Sequence, residues 1–163
     1  MIAEDEAVVA DGLKQLLEQL GHCVVGVAES AEDVVSDVLQ HKPDVLLLDI
    51  NLRNSDGLDA ARILMKTCPV PIVVCTALAD SELFTRAAKA GVSAYLVKPF
   101  RLSELVAAIT LSCERSIYWC GDWPRTALTA ATESNDITAN ERTAESYGLY
   151  ADVVDCGIRS LIR

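Results

Sequence analysis

Short apolar runs alternate with stretches of helical periodicity through the first 115 residues of the chain. Five of these runs predict β-strands, at residues 1–3, 23–28, 45–48, 72–76 and 94–97. Apolar residues at helical spacing predict helices at residues 9–20, 30–39, 58–65, 80–90 and 103–113. Ser30 and Ser103 are the predicted caps of the second and fifth helices. Gly21 and Gly91 are predicted helix stops. The alternation of strands and helices indicates an α/β domain whose parallel sheet is covered by helices on both faces.

The periodicity is lost beyond residue 115. Residues 120–146 are rich in Thr, Ala, Ser, Asn and Glu, and a short apolar stretch follows at residues 149–162. We therefore expect one domain at residues 1–115 and a C-terminal extension at residues 116–163 that forms no recognisable domain. The composition favours a poorly structured tail over a small docking segment, with Trp119 and Trp123 anchoring it on the domain.

Polar side chains stand at the ends of four predicted strands. They are Glu4 and Asp5 after the first strand, Asp49 after the third, Thr76 at the end of the fourth and Lys98 after the fifth. Each has an ordinary explanation by itself, as a helix cap, a strand end or a solvated charge. Because the carboxyl ends of parallel strands meet at one edge of a sheet, where ligands collect in open α/β folds, we expect these five side chains to form one site.

The chemistry of these side chains indicates a metal-dependent phosphoryl site. Three carboxylates in one place repel one another unless a cation lies between them. Oxygen ligands favour a hard divalent ion, and Mg²⁺ is the ion that we expect. A lysine and a hydroxyl group beside such an ion can hold a phosphoryl group during its transfer.

Composition narrows the classes of function. The formal net charge of −10 counts against direct nucleic-acid binding. No apolar run reaches the roughly 20 residues that cross a bilayer, and the acidic N-terminus lacks the basic start of a signal peptide, so we expect a cytoplasmic protein without membrane contact. The six cysteines form no C-x-x-C pair and no metal-ligand spacing with the histidines. We expect all six to be reduced, with Cys23 and Cys75 in the core.

Five stretches of the chain together resemble the receiver (response regulator) domain of two-component signalling. They are IAEDE at residues 2–6, LLDIN at 47–51, DG at 56–57, CTA at 75–77 and AYLVKPF at 94–100. The resemblance covers about residues 1–115, with the motifs in the family's order and spacing. It implies a flavodoxin-like fold, a doubly wound five-stranded parallel sheet with strand order 2-1-3-4-5.

The resemblance implies how the acidic residues act. Asp49 would be the phosphoacceptor, taking a phosphoryl group from a sensor histidine kinase. Glu4 and Asp5 would hold Mg²⁺ together with Asp49 and the main-chain carbonyl of Asn51. The protein would accept and lose a phosphoryl group without being a dedicated enzyme.

The resemblance also implies a switch. Lys98 and Thr76 would contact the phosphoryl group, Tyr95 would turn inward when Thr76 moves, and the peptide bond to Pro99 would be cis. The face made by the fourth helix, fifth strand and fifth helix would then change and control a downstream protein partner or an output module. Homodimer formation on phosphorylation is a further expectation.

Two features depart from the family pattern. Only residues 1–3 precede the acidic pair, where family members have a longer apolar strand, so we expect a truncated N-terminus and a less stable sheet. Arg53 stands where a proline is frequent, which changes the stiffness of the loop more than its chemistry.

Two other functions remain open. A phosphatase of the haloacid-dehalogenase type would carry a second aspartate two residues after its nucleophile, but this chain has Asn51 there and so lacks that general acid. The stretch KPFRLSEL at residues 98–105 resembles receivers that are fused to an RNA-binding antiterminator (ANTAR) module. Residues 116–163 lack that module's helical pattern and basic residues, so this alternative is a transcription or antitermination regulator with a truncated or degraded output.

Overall fold

A computed structural model describes residues 1–53, 55–114 and 118–119. Its main sheet is parallel, with strand order β2-β1-β3-β4-β5-β6. The strands are β1 Ile2–Ala3, β2 Val27–Ala28, β3 Leu46–Leu48, β4 Ile72–Thr76, β5 Ala94–Val97 and β6 Tyr118–Trp119. The first five strands have the predicted order 2-1-3-4-5, which confirms the flavodoxin-like fold.

Helices cover both faces of this sheet, as predicted. They are α1 Ala7–Gln19, α2 Ala31–His41, α3 Gly57–Thr67, α4 Ser81–Lys89 and α5 Leu102–Cys113. Apolar residues of α2, α3 and α4 share one core cluster, and those of α1 and α5 share the other. Within β3, Leu46 and Leu48 face the first cluster and Leu47 faces the second. Burial on both faces of the sheet therefore explains why the residues of β3 are all apolar rather than alternating with polar ones.

The short first strand lies in the middle of the sheet. Ile2 pairs with both neighbouring strands, β2 and β3, and is fully buried. Ala3 accepts a hydrogen bond from the Asp49 main-chain N–H at 2.9 Å, and the Glu4 N–H donates to the Ala28 carbonyl at 2.9 Å. These bonds fix the backbones of Glu4 and Asp49 side by side.

The second strand is shorter than predicted. The apolar run at residues 23–28 predicts a strand of that length, but only Val27–Ala28 form one. Because β2 lies at the sheet edge, its ladder extends only where β1 runs beside it, and β1 has two residues. The expectation that Cys23 lies in the core is therefore wrong, since Cys23 is exposed. Cys75, in strand β4, is buried as predicted.

Three of the predicted helix caps and stops are confirmed, and one is wrong. Ser30 accepts a hydrogen bond from the Asp33 N–H at 3.2 Å and caps α2. Gly21 and Gly91 have φ of 86° and 82°, as helix stops require. The predicted cap at Ser103 is wrong, because α5 already begins at Leu102.

The sheet continues beyond the predicted domain boundary at residue 115. The Tyr118 N–H donates to the Ser93 carbonyl at 2.9 Å, and β6 pairs in parallel with β5. Tyr118 is buried against α1 and α5, and Trp119 pairs with Tyr95 along the ladder. The other residues of the predicted extension, Trp123 among them, lie outside the described residues. None of the described helices is long and apolar enough to span a membrane.

One buried polar group allows a test of the packing of α5. The Ser112 side chain is buried, and its hydroxyl has no hydrogen-bond partner among the described residues. Replacing Ser112 with Ala should raise the free energy of unfolding by about 1–2 kcal/mol, because an unpaired hydroxyl no longer has to be buried. Urea melts would measure the change.

Ser36→Ala is the matched control, because Ser36 lies in the middle of α2 and is exposed. It should give only the gain in helix propensity, about 0.5 kcal/mol. If the two variants are equally stabilised, the Ser112 hydroxyl is not unsatisfied in the protein.

Candidate functional site

Lys98 joins two buried carboxylates at the carboxyl edge of the sheet. Its Nζ lies 2.6 Å from Glu4 Oε2 and 2.8 Å from Asp49 Oδ2. The three side chains follow β1, β3 and β5, so the parallel sheet brings them together as predicted. Glu4 is 3% exposed and the Asp49 side chain is 11% exposed, and charge-assisted bonds are strongest where water is excluded.

The charge of Lys98 is preserved by its partners. Burial alone would lower the pKa of Lys98, but hydrogen bonds to Asp49 and Glu4 together outweigh burial and raise the pKa. Lys98 is therefore an ammonium ion at neutral pH. It supplies a positive charge between two carboxylates that would otherwise repel one another.

The second oxygen of Asp49 is held by the loop that follows it. Asp49 Oδ1 accepts a hydrogen bond from the main-chain N–H of Asn51 at 3.1 Å. Gly57 packs closely against the backbone of the same aspartate, since a Cβ added at Gly57 would lie 2.3 Å from the Asp49 carbonyl oxygen. Both carboxylate oxygens and the backbone of Asp49 are thus positioned by named contacts.

The predicted metal ligands are only partly assembled. No group of three or more His, Cys, Asp or Glu side chains among the described residues is placed to hold a metal ion. Glu4 binds Lys98 and also accepts from the Glu6 N–H at 3.1 Å, while Asp5 is half-buried. The donor chemistry still fits Mg²⁺, because Glu4, Asp5, Asp49 and the carbonyl of Asn51 offer only oxygen ligands.

Thr76 and Tyr95 both form hydrogen bonds with the backbone of Leu78, in the loop after β4. Thr76 Oγ1 accepts from the Leu78 N–H at 3.3 Å, and the Tyr95 hydroxyl donates to the Leu78 carbonyl at 2.9 Å. Tyr95 is fully buried, and its ring packs edge-on against Phe84 of α4, with centroids 5.5 Å apart. A shift of Leu78 would therefore affect both side chains. The peptide bond between Lys98 and Pro99 is cis, as expected.

Comparison with known proteins identifies the family. A model of the response regulator receiver domain matches residues 1–110. This chain belongs to the response regulator receiver family. Receiver domains act in two-component phosphorelays, where they work with sensor histidine kinases and output domains, and they generally require Mg²⁺ for phosphorylation on aspartate.

Individual relatives agree with this assignment. The transcriptional regulatory protein PdtaR of Mycobacterium tuberculosis (strain CDC 1551 / Oshkosh) is 41% identical over 115 residues, which are 71% of this chain and 56% of PdtaR. The chemotaxis protein CheY of Thermotoga maritima is 33% identical over 110 residues, which are 67% of this chain and 92% of CheY. The signal receiver domain of a modulated diguanylate cyclase from Desulfovibrio desulfuricans G20 superposes with a TM-score of 0.65 at 34% identity, over 70% of this chain and 91% of that domain. This chain thus spans little more than half of PdtaR.

The sequence of this receiver does not reveal every residue that shapes the site. Asp56 and Gly57 stand out in it only as part of a motif, and no pattern singles out Phe84 or Arg86. A strand end followed by Asp-Gly is a local signal that could indicate the tight loop beside Asp49. Phe84 and Arg86 give no such signal, because their partners Tyr95 and Asp56 belong to other elements of the fold.

The contact between Gly57 and Asp49 gives a stability test. Gly57→Ala should lower the free energy of unfolding by about 2–3 kcal/mol, because the new methyl group would overlap the Asp49 carbonyl and force the loop to move. Gly12→Ala is the control, since a methyl group added at Gly12, within α1, would meet nothing within 4 Å. Gly12→Ala should instead stabilise the protein by about 1 kcal/mol. A Gly57→Ala protein as stable as wild type in urea melts would contradict the tight contact.

The buried Tyr95 gives a pH test. Burial raises the pKa of Tyr95 from 10.0 to about 12, with the charges of Asp80 and Asp49 adding to the shift. Above pH 10 the unfolded chain releases this proton first, so the folded state holds more protons and its stability falls as pH rises, by up to about 1.4 kcal/mol per pH unit for this group. Tyr95→Phe should therefore lose stability less steeply than wild type between about pH 10 and pH 12. Equal slopes for the two proteins in urea melts would show that the phenol is not buried.

Proposed function

We propose that this receiver accepts a phosphoryl group on Asp49 in a Mg²⁺-dependent reaction and signals through the face formed by α4, β5 and α5. The observation that carries the proposal is the position of Asp49. Its carboxylate follows the central strand β3, with one oxygen bound by the Asn51 N–H and the other by the Lys98 ammonium. A carboxylate oriented in this way is prepared for nucleophilic attack.

The reaction needs little beyond positioning and neutralisation of charge. An Asp49 oxygen would attack the phosphorus of a phosphohistidine, a new P–O bond would form, and the P–N bond would break with the electron pair leaving on the imidazole nitrogen. Lys98, 2.8 Å from Asp49 Oδ2, would offset the negative charge that arrives with the phosphoryl group. When bound, Mg²⁺ would neutralise further charge on the phosphoryl oxygens, and the groups that would hold it are Glu4, Asp5, Asp49 and the carbonyl of Asn51.

The phosphoryl group would be sensed through Thr76. Its hydroxyl oxygen accepts a hydrogen bond from the Leu78 N–H, and its O–H would donate to a phosphoryl oxygen at Asp49, which would draw the Thr76 side chain toward Asp49. Because Leu78 also binds the Tyr95 hydroxyl, a change at Thr76 would be transmitted to Tyr95 and to its neighbour Phe84 on α4. This contact chain links the acceptor to the proposed signalling face.

A dedicated phosphatase fits the site less well. Asn51 stands where a haloacid-dehalogenase enzyme needs its second aspartate, and a neutral amide cannot serve as general acid. We therefore propose a phosphorylated switch in the cytoplasm, controlled by a sensor histidine kinase, rather than an enzyme with turnover. Its output would be contact with a protein partner or with a second phosphorylated copy of the chain, since the net charge of −10 disfavours direct binding to nucleic acid.

The similarity to PdtaR favours a second candidate for the output. PdtaR is a transcriptional regulatory protein, and this chain matches 56% of it at 41% identity. We propose as the alternative that this receiver belongs to a transcription or antitermination regulator whose RNA-binding output is truncated or degraded. Residual binding of the phosphorylated chain to structured RNA, absent from the unphosphorylated chain, would distinguish this output from a protein partner.

Phosphorylation by a small acyl phosphate tests the proposed function. Incubation with acetyl phosphate and Mg²⁺ should add one phosphoryl group to the wild-type chain in intact-mass spectra, because the donor is already activated. Asp49→Asn should abolish the gain, and chelation of Mg²⁺ should do the same. Asp11→Asn, at an exposed acid of α1, is the control that should be phosphorylated like wild type. A gain that persists in Asp49→Asn would show that another residue is the acceptor.

A further inference from the structure

A small hairpin follows the phosphoacceptor directly. Its two strands, Asn51–Leu52 and Ser55–Asp56, pair antiparallel outside the main sheet, and we refer to them as the 51–56 hairpin. Asn51 lies opposite Asp56 in this pairing. Since the Asn51 N–H binds Asp49 Oδ1, the position of the hairpin determines where that hydrogen-bond donor lies.

Asp56 uses its two carboxylate oxygens for different neighbours. Oδ1 accepts a hydrogen bond from the Leu58 N–H at 2.9 Å and caps α3. Oδ2 is bound by the guanidinium group of Arg86, which belongs to α4. The hydrogen bond to Asp56 raises the pKa of Arg86 above its usual value, so the guanidinium group is charged at neutral pH. One end of the hairpin is therefore joined to α4 through Arg86.

The other side of the hairpin is held by the start of α2. Ser55 Oγ accepts from the Ala31 N–H at 3.0 Å, and Arg53 forms an ion pair with Glu29 at 2.6 Å. The Arg53 N–H also donates to the Glu29 carbonyl at 3.1 Å. With α2 fixing one side, the contact between Arg86 and Asp56 determines how the opposite side is oriented.

We propose that Arg86 is a positioning residue for phosphoryl transfer, acting through Asp56 and Asn51 on the carboxylate of Asp49. The inference rests on the proposed role of Asp49 as acceptor and extends it to a residue of α4. Arg86 does not touch the acceptor itself. It holds Asp56, Asp56 is paired with Asn51, and Asn51 holds one of the two oxygens that would react.

The same contact gives α4 a second connection to the acceptor. Phe84 of α4 already packs on Tyr95, and Arg86 lies two positions further along the same helix. A change in the position of α4 would therefore act on Asp49 through the hairpin as well as through Tyr95. By linkage, occupation of Asp49 and the position of α4 would influence each other.

The test uses variants that separate positioning from capping. Asp56→Asn keeps a side chain that caps α3 equally well but removes the charge that binds Arg86. Arg86→Gln removes the guanidinium group, and Arg86→Lys keeps a positive charge at the same place. Arg62→Gln is the matched control, because Arg62 pairs with Asp59 at 2.5 Å on the exposed surface of α3.

Two quantities are measured for each variant in the full chain. The first is the initial rate of Mg²⁺-dependent phosphorylation by acetyl phosphate, per folded molecule, from intact-mass spectra. The second is the free energy of unfolding from urea melts. A purely structural contact would change the second quantity and leave the first unchanged, whereas a positioning contact changes the rate.

The proposal predicts a defined pattern of rates. Arg86→Gln and Asp56→Asn should each slow phosphorylation about three- to fivefold, because each variant removes the partly exposed ion pair that helps to position the acceptor. The double variant should be no slower than the slower single variant, because both changes remove one contact. Arg86→Lys should recover most of the rate, and Arg62→Gln should match wild type.

Three outcomes would overturn the proposal, and they are distinguishable. A wild-type chain that gains no phosphoryl group, or gains one that survives Asp49→Asn, would overturn the proposed function and this inference with it. If wild type is labelled on Asp49 but Arg86→Gln reacts as fast as wild type, only the role of Arg86 is refuted. If the two single effects multiply in the double variant, Arg86 does not act through Asp56.

Discussion

The site depends on one ammonium group placed between two buried carboxylates. Glu4 and Asp49 lie on neighbouring strands whose ladder bonds hold their backbones together, and two buried negative charges at that spacing would destabilise the fold without a counter-ion. Lys98 supplies the counter-ion from the far side of β4, with bonds of 2.6 and 2.8 Å. The Lys98 ammonium group, which offsets the repulsion between the two carboxylates in the folded state, therefore also lies beside the oxygen that we propose as nucleophile. Stability and reactivity share this interaction, and its disruption should affect both.

Around this cluster, two loops connect the carboxyl edge of the sheet to helix α4. The loop after β4 has its Leu78 backbone bound by Thr76 and Tyr95, and Tyr95 packs on α4. The loop after β3 is a hairpin bound to α4 through an ion pair. Any movement of a buried group such as Tyr95 would be between discrete arrangements rather than continuous, because protein interiors are close-packed. Both loops contact helix α4, and we propose that this helix responds to the state of Asp49.

The elements that were predicted best from the sequence are those whose bounds depend on a local pattern of residues. The bounds of β4 and β5 match the predicted ones because each is an apolar run buried on both faces between clear breaks. The bounds of β2 do not, because its length is limited by β1, a neighbour distant in sequence. The proximity of Lys98 to Glu4 and Asp49 could be predicted from topology alone. The pair of Asp56 and Arg86 could not, since 30 residues separate them and neither lies at a strand end of the main sheet. The role of Lys98 as the cation between the two carboxylates could be identified only from the structure, because a sequence shows charged residues but not which cation neutralises which carboxylate.

Chemical mapping of the acceptor would show directly whether Asp49 carries the phosphoryl group. Borohydride reduces an aspartyl phosphate to homoserine, a stable mark that tandem mass spectrometry of peptides can assign to one residue. After treatment of the wild-type chain with acetyl phosphate and Mg²⁺, we expect homoserine at residue 49 and at no other aspartate. Homoserine at a different position, or a phosphorylated chain that yields none, would contradict this expectation.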